Sequence, residues 1–238
     1  MKLKFLIFDI WGDFAHFKKY YTTSSPLTFS IPPRTALIGL ISAILGIKKE
    51  EYFEVMKKDK AYIALRILNP IKKTRIGINL IDTKVEWIPV RKSTSTGRTQ
   101  IKLELLKDPK YRIYFYHKEN DVYETFKKFL QQHKSVYTPY LGISEFICDF
   151  NFIEETEATS NIIVEDFIEV SSVIPLDEIV ELGLKEGKYF KEKIPTEMET
   201  DRVVSEYREV IYEADGKKIK CKIKNGIKLS NGEIITIL

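Results

Sequence analysis

The chain opens with the stretch that decides its fold, MKLKFLIFDIWGDFAHFKKYYTTSSPLTFSIPPRTALIGLISAILG (1–46). Residues 2–10 are apolar and rich in β-prone side chains, which predicts a buried strand. Trp11-Gly12-Asp13 breaks this strand, and a polar loop rich in aromatic side chains follows as far as Ser30. Two prolines then precede an apolar helix predicted over 35–45, and the glycine after it is a typical helix C-terminal cap. A rigid strand and a rigid helix therefore present the loop between them.

The rest of the sequence predicts an α+β fold. The order strand, helix, two strands, helix, strand is typical of a ferredoxin-like (RRM-like) β-α-β-β-α-β unit. Long polar stretches between the predicted elements leave room for an inserted hairpin. The later predicted strands are 61–69, 75–82 and 145–152, the second helix is 122–132, and the hairpin spans about 86–116 with 111–116 as its return strand.

A domain boundary is predicted near residue 155, where the stretch EETEATSN is polar and loop-like. Residues 1–155 would form the ferredoxin-like domain with its hairpin. Residues 156–238 would form a small β-rich C-terminal subdomain, because Asn-Gly pairs are strong hairpin-turn signals. Its predicted strands are 167–173, 205–212 and 217–224, with turns at Asn225-Gly226 and Asn231-Gly232.

Charge is distributed unevenly along the chain. The 238 residues carry a net charge of only +4, and 44% hydrophobic content is enough for a sizeable core. Residues 1–150 hold 26 Lys and Arg against 15 Asp and Glu, whereas residues 151–238 hold 12 against 19. A basic body with an acidic C-terminal part indicates a polyanion partner for the body. An unevenly solvated ordinary surface is the alternative interpretation.

Several classes of protein are excluded by the sequence. The first apolar run is interrupted by Asp9 and Asp13 and lacks a signal-peptide cleavage site, and the longest later run, 36–45, is too short to span a bilayer. Two lone cysteines, Cys148 and Cys221, indicate a reducing cytoplasm rather than a disulfide framework or a thiolate zinc cluster. No P-loop, HExxH or Ser-His-Asp order is present, so neither a metal nor a cofactor is expected.

The tip of the predicted hairpin, RKSTSTGRTQIK (91–102), has the composition of a phosphate-binding segment. It carries four cations and no acid among hydroxyl side chains and one glycine. Cations neutralise phosphates, and hydroxyls and backbone amides hydrogen-bond to them. A solvated surface loop is the alternative interpretation. The side chains expected to contact RNA here are Arg91, Lys92, Ser93, Thr94, Arg98 and Lys102.

Three further segments are candidates for RNA contacts. In the loop over 11–30, aromatic rings interleave with cations, an arrangement that suits unstacked bases, although the rings could instead cap the core. The start of the first helix offers free amides and a forked cation to a phosphate, although Thr35 could simply cap the helix. A glycine turn permits close approach to a ligand, although a plain β-turn is the default. The candidate residues are Trp11, Gly12, Phe14, Lys18 and Lys19 in the loop, Arg34 and Thr35 at the helix start, and Tyr140, Gly142 and Ser144 in the turn.

A metal-independent ribonuclease is the main catalytic alternative. Such an enzyme needs a base for the 2′-hydroxyl and an acid or cation for the leaving oxygen. His117 and Lys118 supply the residue types. They are adjacent, however, and neighbouring residues on a strand point to opposite faces, which argues against a shared site.

Residues 8–46 resemble the start of the CRISPR-associated Cas-five family, in the RAMP superfamily. The resemblance is carried by the strand, the Gly12-Asp13-Phe14 break, the polar loop, the Ile-Pro-Pro-Arg-Thr stretch and the GLISAILG helix. The later hairpin and the segment YLGISEF agree with the family in order and spacing. The resemblance covers about residues 1–155 and is greatest to the type I-B branch.

The resemblance implies a subunit that caps the 5′ end of a Cascade complex in antiviral defence. Such subunits have a ferredoxin-like domain with a β-hairpin thumb, hold the 5′ handle of the crRNA, and contact a Cas-seven-family backbone subunit and a Cas-eight-family large subunit. Target DNA near its flanking motif is a further possible partner. By position, the thumb maps to 89–102 and the handle contacts to 11–14, Arg34, Thr35 and 140–144.

The resemblance also bears on catalysis. One branch, in type I-C systems, cleaves precursor crRNA with a Tyr, Lys and His set, and His117-Lys118 lies near that region. In type I-B systems a separate Cas-six-family nuclease performs this step. We therefore expect a non-catalytic crRNA-binding subunit. The alternatives are a metal-independent endoribonuclease that processes precursor crRNA and a general single-strand RNA-binding protein.

Overall fold

Strands predominate in the chain, and helices are few. A computed structural model describes residues 3–22, 25–81, 98–162, 166–183 and 186–238. The helices are α1 (Arg34–Leu45), α2 (Tyr52–Val55) and α3 (Asn120–Gln131), with one 3-10 turn at Leu176–Glu178. The strands are β1 (Lys4–Trp11), β2 (Phe14–Ala15), β3 (Ala61–Ile67), β4 (Lys73–Ile81), β5 (Arg98–Lys107), β6 (Lys110–His117), β7 (Asp149–Ile162), β8 (Ile168–Val170), β9 (Ile174–Pro175), β10 (Ile179–Leu182), β11 (Tyr189–Met198), β12 (Val204–Glu213), β13 (Ile219–Ile223), β14 (Gly226–Leu229) and β15 (Ile234–Ile235). The predicted mixture of helices and strands is confirmed.

A six-stranded sheet in the order β15-β14-β7-β1-β6-β3 forms the centre of the fold. The apolar run at the start of the chain is β1, which pairs antiparallel with both β6 and β7. Its side chains are buried on both faces, since Phe5 and Phe8 are each fully inaccessible. On one face Phe8 meets Phe126 of α3 edge to face, with 5.3 Å between ring centroids. An apolar strand covered on both sides explains why the first ten residues alternate so little.

Four of these strands are connected through the two longer helices. Along the chain they occur as β1, α1, β3, β6, α3 and β7. In the sheet, β1 lies between β7 and β6, and β3 lies at the edge. The predicted strand 75–82 is β4, which pairs with β5 in a separate sheet. The second middle strand of the central sheet is β6, which was predicted as part of the hairpin.

The sheet face opposite the helices is covered by the end of the chain. Leu229 of β14 and Ile235 of β15 are buried in a cluster with Phe5 and Tyr114. The Tyr114 hydroxyl donates a hydrogen bond to the carboxylate of Glu233 (2.9 Å), between these two strands. Burial raises the pKa of Tyr114, so this hydroxyl stays a donor. Around this cluster, the face of the sheet that carries no helix is therefore buried and inaccessible to other molecules.

The predicted domain boundary is wrong, because residue 155 lies in the middle of β7. The stretch that was expected to form a loop is strand, and β14 pairs with its second half. Its polar side chains are satisfied by residues distant in sequence: Glu155 accepts hydrogen bonds from the Tyr123 hydroxyl (2.8 Å) and the Lys127 ammonium (2.9 Å). The C-terminal part therefore contributes β14 and β15 to the central sheet.

The inserted hairpin is present, but its predicted bounds of 86–116 are wrong. Strand β4 pairs with β5 from Lys73 opposite Leu106 to Ile81 opposite Arg98. We call these two strands the thumb hairpin. The predicted return strand is β6, which lies between β1 and β3 in the central sheet, where Tyr111, Ile113 and Phe115 are buried on one face. The predicted tip residues Arg91, Lys92, Ser93 and Thr94 lie outside the described residues.

Helix α1 begins and ends close to the predicted positions. Pro33 precedes it in an extended conformation (φ −60°, ψ 156°), so the helix starts at Arg34. Gly46 ends it in the left-handed region (φ 76°), and its N–H donates to the carbonyl of Ala43. The prediction of Gly46 as the C-terminal cap is confirmed.

Two small sheets complete the C-terminal part. One has the order β10-β13-β8 and the other β11-β12-β9. The three strands predicted there are confirmed within a few residues at each end. In the hairpin of β11 and β12, Ile194 and Val210 are fully buried in the main core, so this hairpin packs on the same side of the central sheet as α1. Among the described helices, none is long and apolar enough to cross a membrane.

Candidate nucleic-acid interface

A groove runs along α1 and past its C-terminal end. We call it the α1 groove; its volume is about 540 Å³. The helix forms its floor with small side chains, and the walls come from the segment after the helix, the turn around residue 140 and the β11–β12 connection. It is lined by Thr35, Ala36, Gly39, Leu40, Ser42, Ala43, Ile47, Lys48, Lys49, Glu50, Tyr52, Tyr137, Thr138, Tyr140, Gly142 and Arg202.

A second groove continues from the first toward the loop after β1. We call it the loop groove; its volume is about 370 Å³. The two grooves share five lining residues, so they form one continuous surface. The shared residues are Thr35, Ala36, Tyr52, Gly142 and Arg202, and the loop groove adds His16, Phe17, Lys18, Tyr20, Phe29, Pro33, Ile143, Pro195, Met198, Val204 and Tyr207.

Positive charge dominates the two grooves. Lys18, Lys48, Lys49 and Arg202 line them, against a single carboxylate, that of Glu50. Within the described part of the chain, none of these four cations takes part in a salt bridge. A concave surface with unpaired cations attracts polyanions such as nucleic acids.

Exposed tyrosines stand beside these cations. Tyr137, Tyr140 and Tyr20 are 53%, 47% and 54% exposed, which leaves ring faces open for stacking. Tyr20 also lies 5.0 Å from Tyr207 across the loop groove, measured between ring centroids. Aromatic rings interleaved with cations are the usual means of holding single-stranded nucleic acid.

The turn at Gly142 joins the two grooves. Gly142 has a φ of 95°, and a Cβ atom there would lie 2.0 Å from the carbonyl oxygen of His16. The N–H of His16 donates to the carbonyl of Leu141 (3.0 Å), which fixes the turn against the loop. Only glycine fits at this contact.

His16 is a structural residue of this junction. Its ring is buried, and Nδ1 donates to the carbonyl oxygen of Glu104 at 2.7 Å. Burial lowers the pKa of His16, which favours the neutral ring. The loop after β1 is thereby tied to the base of the thumb hairpin.

Arg34 does not face a ligand, which corrects the prediction of a phosphate contact at this position. Its side chain is fully buried at the centre of the fold. Nη1 donates to the carbonyl of Thr196 (3.2 Å) and the carboxylate of Glu197, and Nη2 donates to the carbonyls of Met56 (2.8 Å) and Ala61 (3.0 Å). The forked guanidinium therefore links α1, the segment before β3 and strand β11.

Thr35, the neighbour of Arg34, faces the surface. It lines both grooves and is partly exposed. The N-terminal cap of α1 is Pro33 rather than Thr35, and no side chain caps the helix. Of the two interpretations of Thr35, a place at a binding surface fits its position and a capping role does not.

The remaining candidates of the loop after β1 lie around the grooves. Trp11 and Gly12 line a separate pocket of about 220 Å³, where the Lys110 ammonium lies 5.6 Å from the centre of the Trp11 ring. Phe14 is partly buried and packs against Phe146, with 6.0 Å between ring centroids. Lys18 lines the loop groove.

Four other predicted residues, three cations and one serine, lie elsewhere. Lys19 is paired with Glu192 at 2.6 Å. Lys102 is exposed on β5 of the thumb hairpin, and Arg98 begins that strand. The Ser144 hydroxyl is exposed and donates to the carboxylate of Glu145 (3.2 Å). The structure therefore brings together Lys18, Thr35, Tyr140 and Gly142, and leaves the other described candidates outside the two grooves.

His117 and Lys118 do not form a shared site. The N–H of Glu119 donates to Nδ1 of His117 (3.0 Å), so Nε2 carries the proton and donates to the carbonyl of Val55 (2.9 Å). The ring is buried, whereas the Lys118 ammonium is exposed and lies 5.9 Å from the centre of the Tyr62 ring. Across the described ranges, no cluster of three or more His, Cys, Asp or Glu side chains could hold a metal ion.

Lys48, Lys49, Tyr52, Tyr137 and Arg202 line the α1 groove but were not identified from the sequence. The lysines follow the helix cap in an ordinary-looking polar stretch. Arg202 lies in the acidic C-terminal part, and only the packing of the β11–β12 hairpin brings it to the groove. The one local signal for these residues was the pair of adjacent lysines, Lys48 and Lys49, shortly after the glycine that caps α1.

The comparisons with known proteins agree with this fold. Residues 5–214 match the model of the family described as CRISPR-associated protein (Cas_Cas5). The chain superposes on part of a CRISPR RNA-guided surveillance complex with a TM-score of 0.57 at 11% identity, covering 92% of each chain. It superposes on a CRISPR protein from Archaeoglobus fulgidus with a TM-score of 0.54 at 13% identity, covering 99% of this chain and 98% of that one. These identities show a shared fold alone, and no curated protein sequence matches the chain.

Proposed function

This chain belongs to the Cas-five family of CRISPR-associated proteins, and we propose that it is the non-catalytic Cascade subunit that binds the 5′ handle of crRNA and caps the complex in antiviral defence. The observation that carries this proposal is the continuous surface of the α1 groove and the loop groove. Its four cations pair with phosphates, and its exposed tyrosines stack on bases that have left a helical arrangement.

The fold supports a particular mode of binding. The strand order β7-β1-β6-β3 with two helices on one face supports the ferredoxin-like RAMP description. Many RRM domains stack bases on the open face of such a sheet. Here Leu229 and Ile235 cover much of that face. The RNA is therefore proposed to lie on the helix side, along α1 and the Gly142 turn.

The thumb hairpin is proposed to cross the guide RNA. It pairs β4 with β5 over nine positions, and the sequence that leads into β5 is basic. In this proposal the tip separates the handle from the guide at the junction with a Cas-seven-family subunit. A Cas-eight-family large subunit and target DNA near its flanking motif are the other proposed partners, in a type I-B system.

The absence of catalysis is part of the proposal. Both ring nitrogens of His117 are engaged by backbone groups, which supports a structural role for the His117-Lys118 pair. Incubating the purified chain with labelled repeat RNA in EDTA tests this point. We expect intact RNA. Site-specific cleavage that is lost in His117→Ala, with folding retained, would favour the endoribonuclease alternative.

Binding is tested with labelled handle RNA and a scrambled RNA of the same length and composition. We expect the purified chain to bind the handle more tightly at matched ionic strength, since affinities without a stated salt concentration are not comparable. Equal affinity for both RNAs would favour a general single-strand RNA-binding protein. No binding to either RNA would overturn the proposed function.

A further inference from the structure

Gly39 is an unexplained glycine in the middle of α1. Glycine in a helix interior costs about 0.5–1 kcal/mol relative to alanine. A Cβ atom at this position would meet no other atom within 4 Å, so packing of the described chain does not require the missing side chain. The space beside Gly39 belongs to the α1 groove.

Ser42, three residues later, adds an independent observation on the same helix face. It is 2% exposed and lines the α1 groove. Its hydroxyl has no hydrogen-bond partner among the described residues. A buried hydroxyl without a partner is costly, and each such group in a native structure calls for an explanation. A ligand atom in the groove would supply the missing hydrogen bond.

The walls of the groove indicate what kind of ligand fits. Tyr52, Tyr137 and Tyr140 surround the space above Gly39, while Lys48 and Lys49 lie at one end. Tyrosine faces suit a flat ring, and the lysines suit phosphates on either side of it. A volume of about 540 Å³ lies within the range of about 300–1,000 Å³ that is usual for small-ligand sites.

We propose that the α1 groove holds one unstacked nucleobase of the bound RNA, for which Gly39 leaves the room and Ser42 provides a hydrogen bond to the base edge. This inference rests on the proposed function, since it specifies how the RNA is held at the same surface. The hydroxyl can donate or accept, so it fits the polar edge of any base. The remaining nucleotides are held mainly through their phosphates.

The proposed binding of one nucleobase in the α1 groove, called the base seat below, is tested with a set of handle RNAs that each lack one base. Wild-type protein is expected to lose about tenfold in affinity at one position, the size typical of one base–aromatic stack, and little at the others. If the handle binds but no single abasic position matters, the base seat is overturned while the proposed function stands. If the wild-type chain binds no handle RNA at all, both are overturned.

The variant Gly39→Leu tests whether the RNA position that is sensitive to loss of its base lies in the α1 groove. Leucine is a better helix former than glycine and its Cβ meets nothing, so the variant should fold, which a denaturation curve checks. The variant is expected to bind intact RNA about as weakly as wild type binds the critical abasic RNA, and to lose its sensitivity to that abasic position. Thr125→Leu, on the exposed face of α3, is the control and should behave as wild type. Unchanged abasic sensitivity in folded Gly39→Leu would overturn the seat.

Ser42→Ala tests the hydrogen bond without closing the groove. We expect it to bind intact RNA about two- to tenfold more weakly, the loss usual for one hydrogen bond, and to bind the critical abasic RNA as wild type does. Its stability should not fall, because the free chain loses only an unpartnered hydroxyl. Equal losses on intact and abasic RNA would contradict a contact between Ser42 and the base.

Discussion

Gly142 lies so close to His16 that a single added carbon atom would stand 2.0 Å from the His16 carbonyl oxygen. This contact joins the turn after α3 to the loop after β1, although 126 positions of sequence separate the two residues. Both grooves of the candidate interface are bounded by this turn. The shape of the interface therefore depends on one backbone-to-backbone approach.

Gly142→Ala is expected to lower the free energy of unfolding by about 3 kcal/mol or more, because an unfavourable φ and a direct overlap act together. Gly232→Ala is a matched control, since Gly232 also has a positive φ (85°) but its Cβ would meet nothing within 4 Å. The control should lose about 1–2 kcal/mol. Denaturant unfolding of both variants measures the difference, and equal losses would show that the contact does not matter.

Arg34→Met is expected to destabilise the chain by about 3–5 kcal/mol, because it leaves the partly buried Glu197 carboxylate without its salt-bridge partner. Removing both charges, in Arg34→Met with Glu197→Leu, should recover part of the loss. Arg75→Met is the surface control, since Arg75 is 64% exposed and its pair with Glu104 is 3.4 Å long. This control should cost less than about 1 kcal/mol. A similar cost for Arg34→Met would contradict a central role for the buried guanidinium.

The stability of the chain should fall on acidification, in part because of His16. Burial lowers the pKa of His16 below its ordinary value of 6.5. As the pH falls through 6.5, the unfolded chain takes up a proton that the folded chain does not, so the free energy of unfolding decreases until the folded-state pKa is reached. His16→Gln should show a shallower decrease between pH 7 and pH 5 in urea unfolding. Parallel pH curves for the two proteins would contradict this assignment.

The salt dependence of RNA binding tests the cations of the grooves. If Lys48, Lys49 and Arg202 each neutralise a phosphate, Gln at any one of them should reduce the slope of log affinity against log salt by about 0.7. Lys222→Gln is the control, because this lysine pairs with Glu181 on the separate sheet of β10 and β13. Filter binding across a salt series measures the slopes. A shift for Lys222→Gln as large as for the groove variants would locate the RNA elsewhere.

The first strand and the first helix were predictable because local signals specified them. An apolar run at the start of the chain, two prolines and a capping glycine were sufficient to predict β1 and α1. The thumb hairpin was misplaced because strand pairing is a property of distant residues. Strand β6 follows β5 as a return strand would, yet it pairs with β1 and β3, and this pairing places it inside the central sheet.

The candidate site was predictable only where a single segment forms it. Tyr140 and Gly142 were found through a glycine turn, and Thr35 through a helix start. Arg34 was misassigned, because a cation at a helix start looks the same in sequence whether it faces solvent or four buried acceptors. Its partners at Thr196 and Glu197 lie 162 and 163 positions away. Arg202 was missed for the same reason, since its segment reaches α1 only through the β11–β12 hairpin.

The long separation between Arg34 and Glu197 also has a consequence for synthesis of the protein on the ribosome. At about 5–20 residues per second, a nascent chain waits roughly 8–30 s between the emergence of these two partners. During that interval α1 carries a charged guanidinium that has only the carbonyls of Met56 and Ala61 as nearby acceptors. The wall of the grooves formed by β11 and β12 does not yet exist. A ribosome-bound chain should therefore be unable to retain guide RNA, and assembly with its partners should begin only after translation is nearly complete.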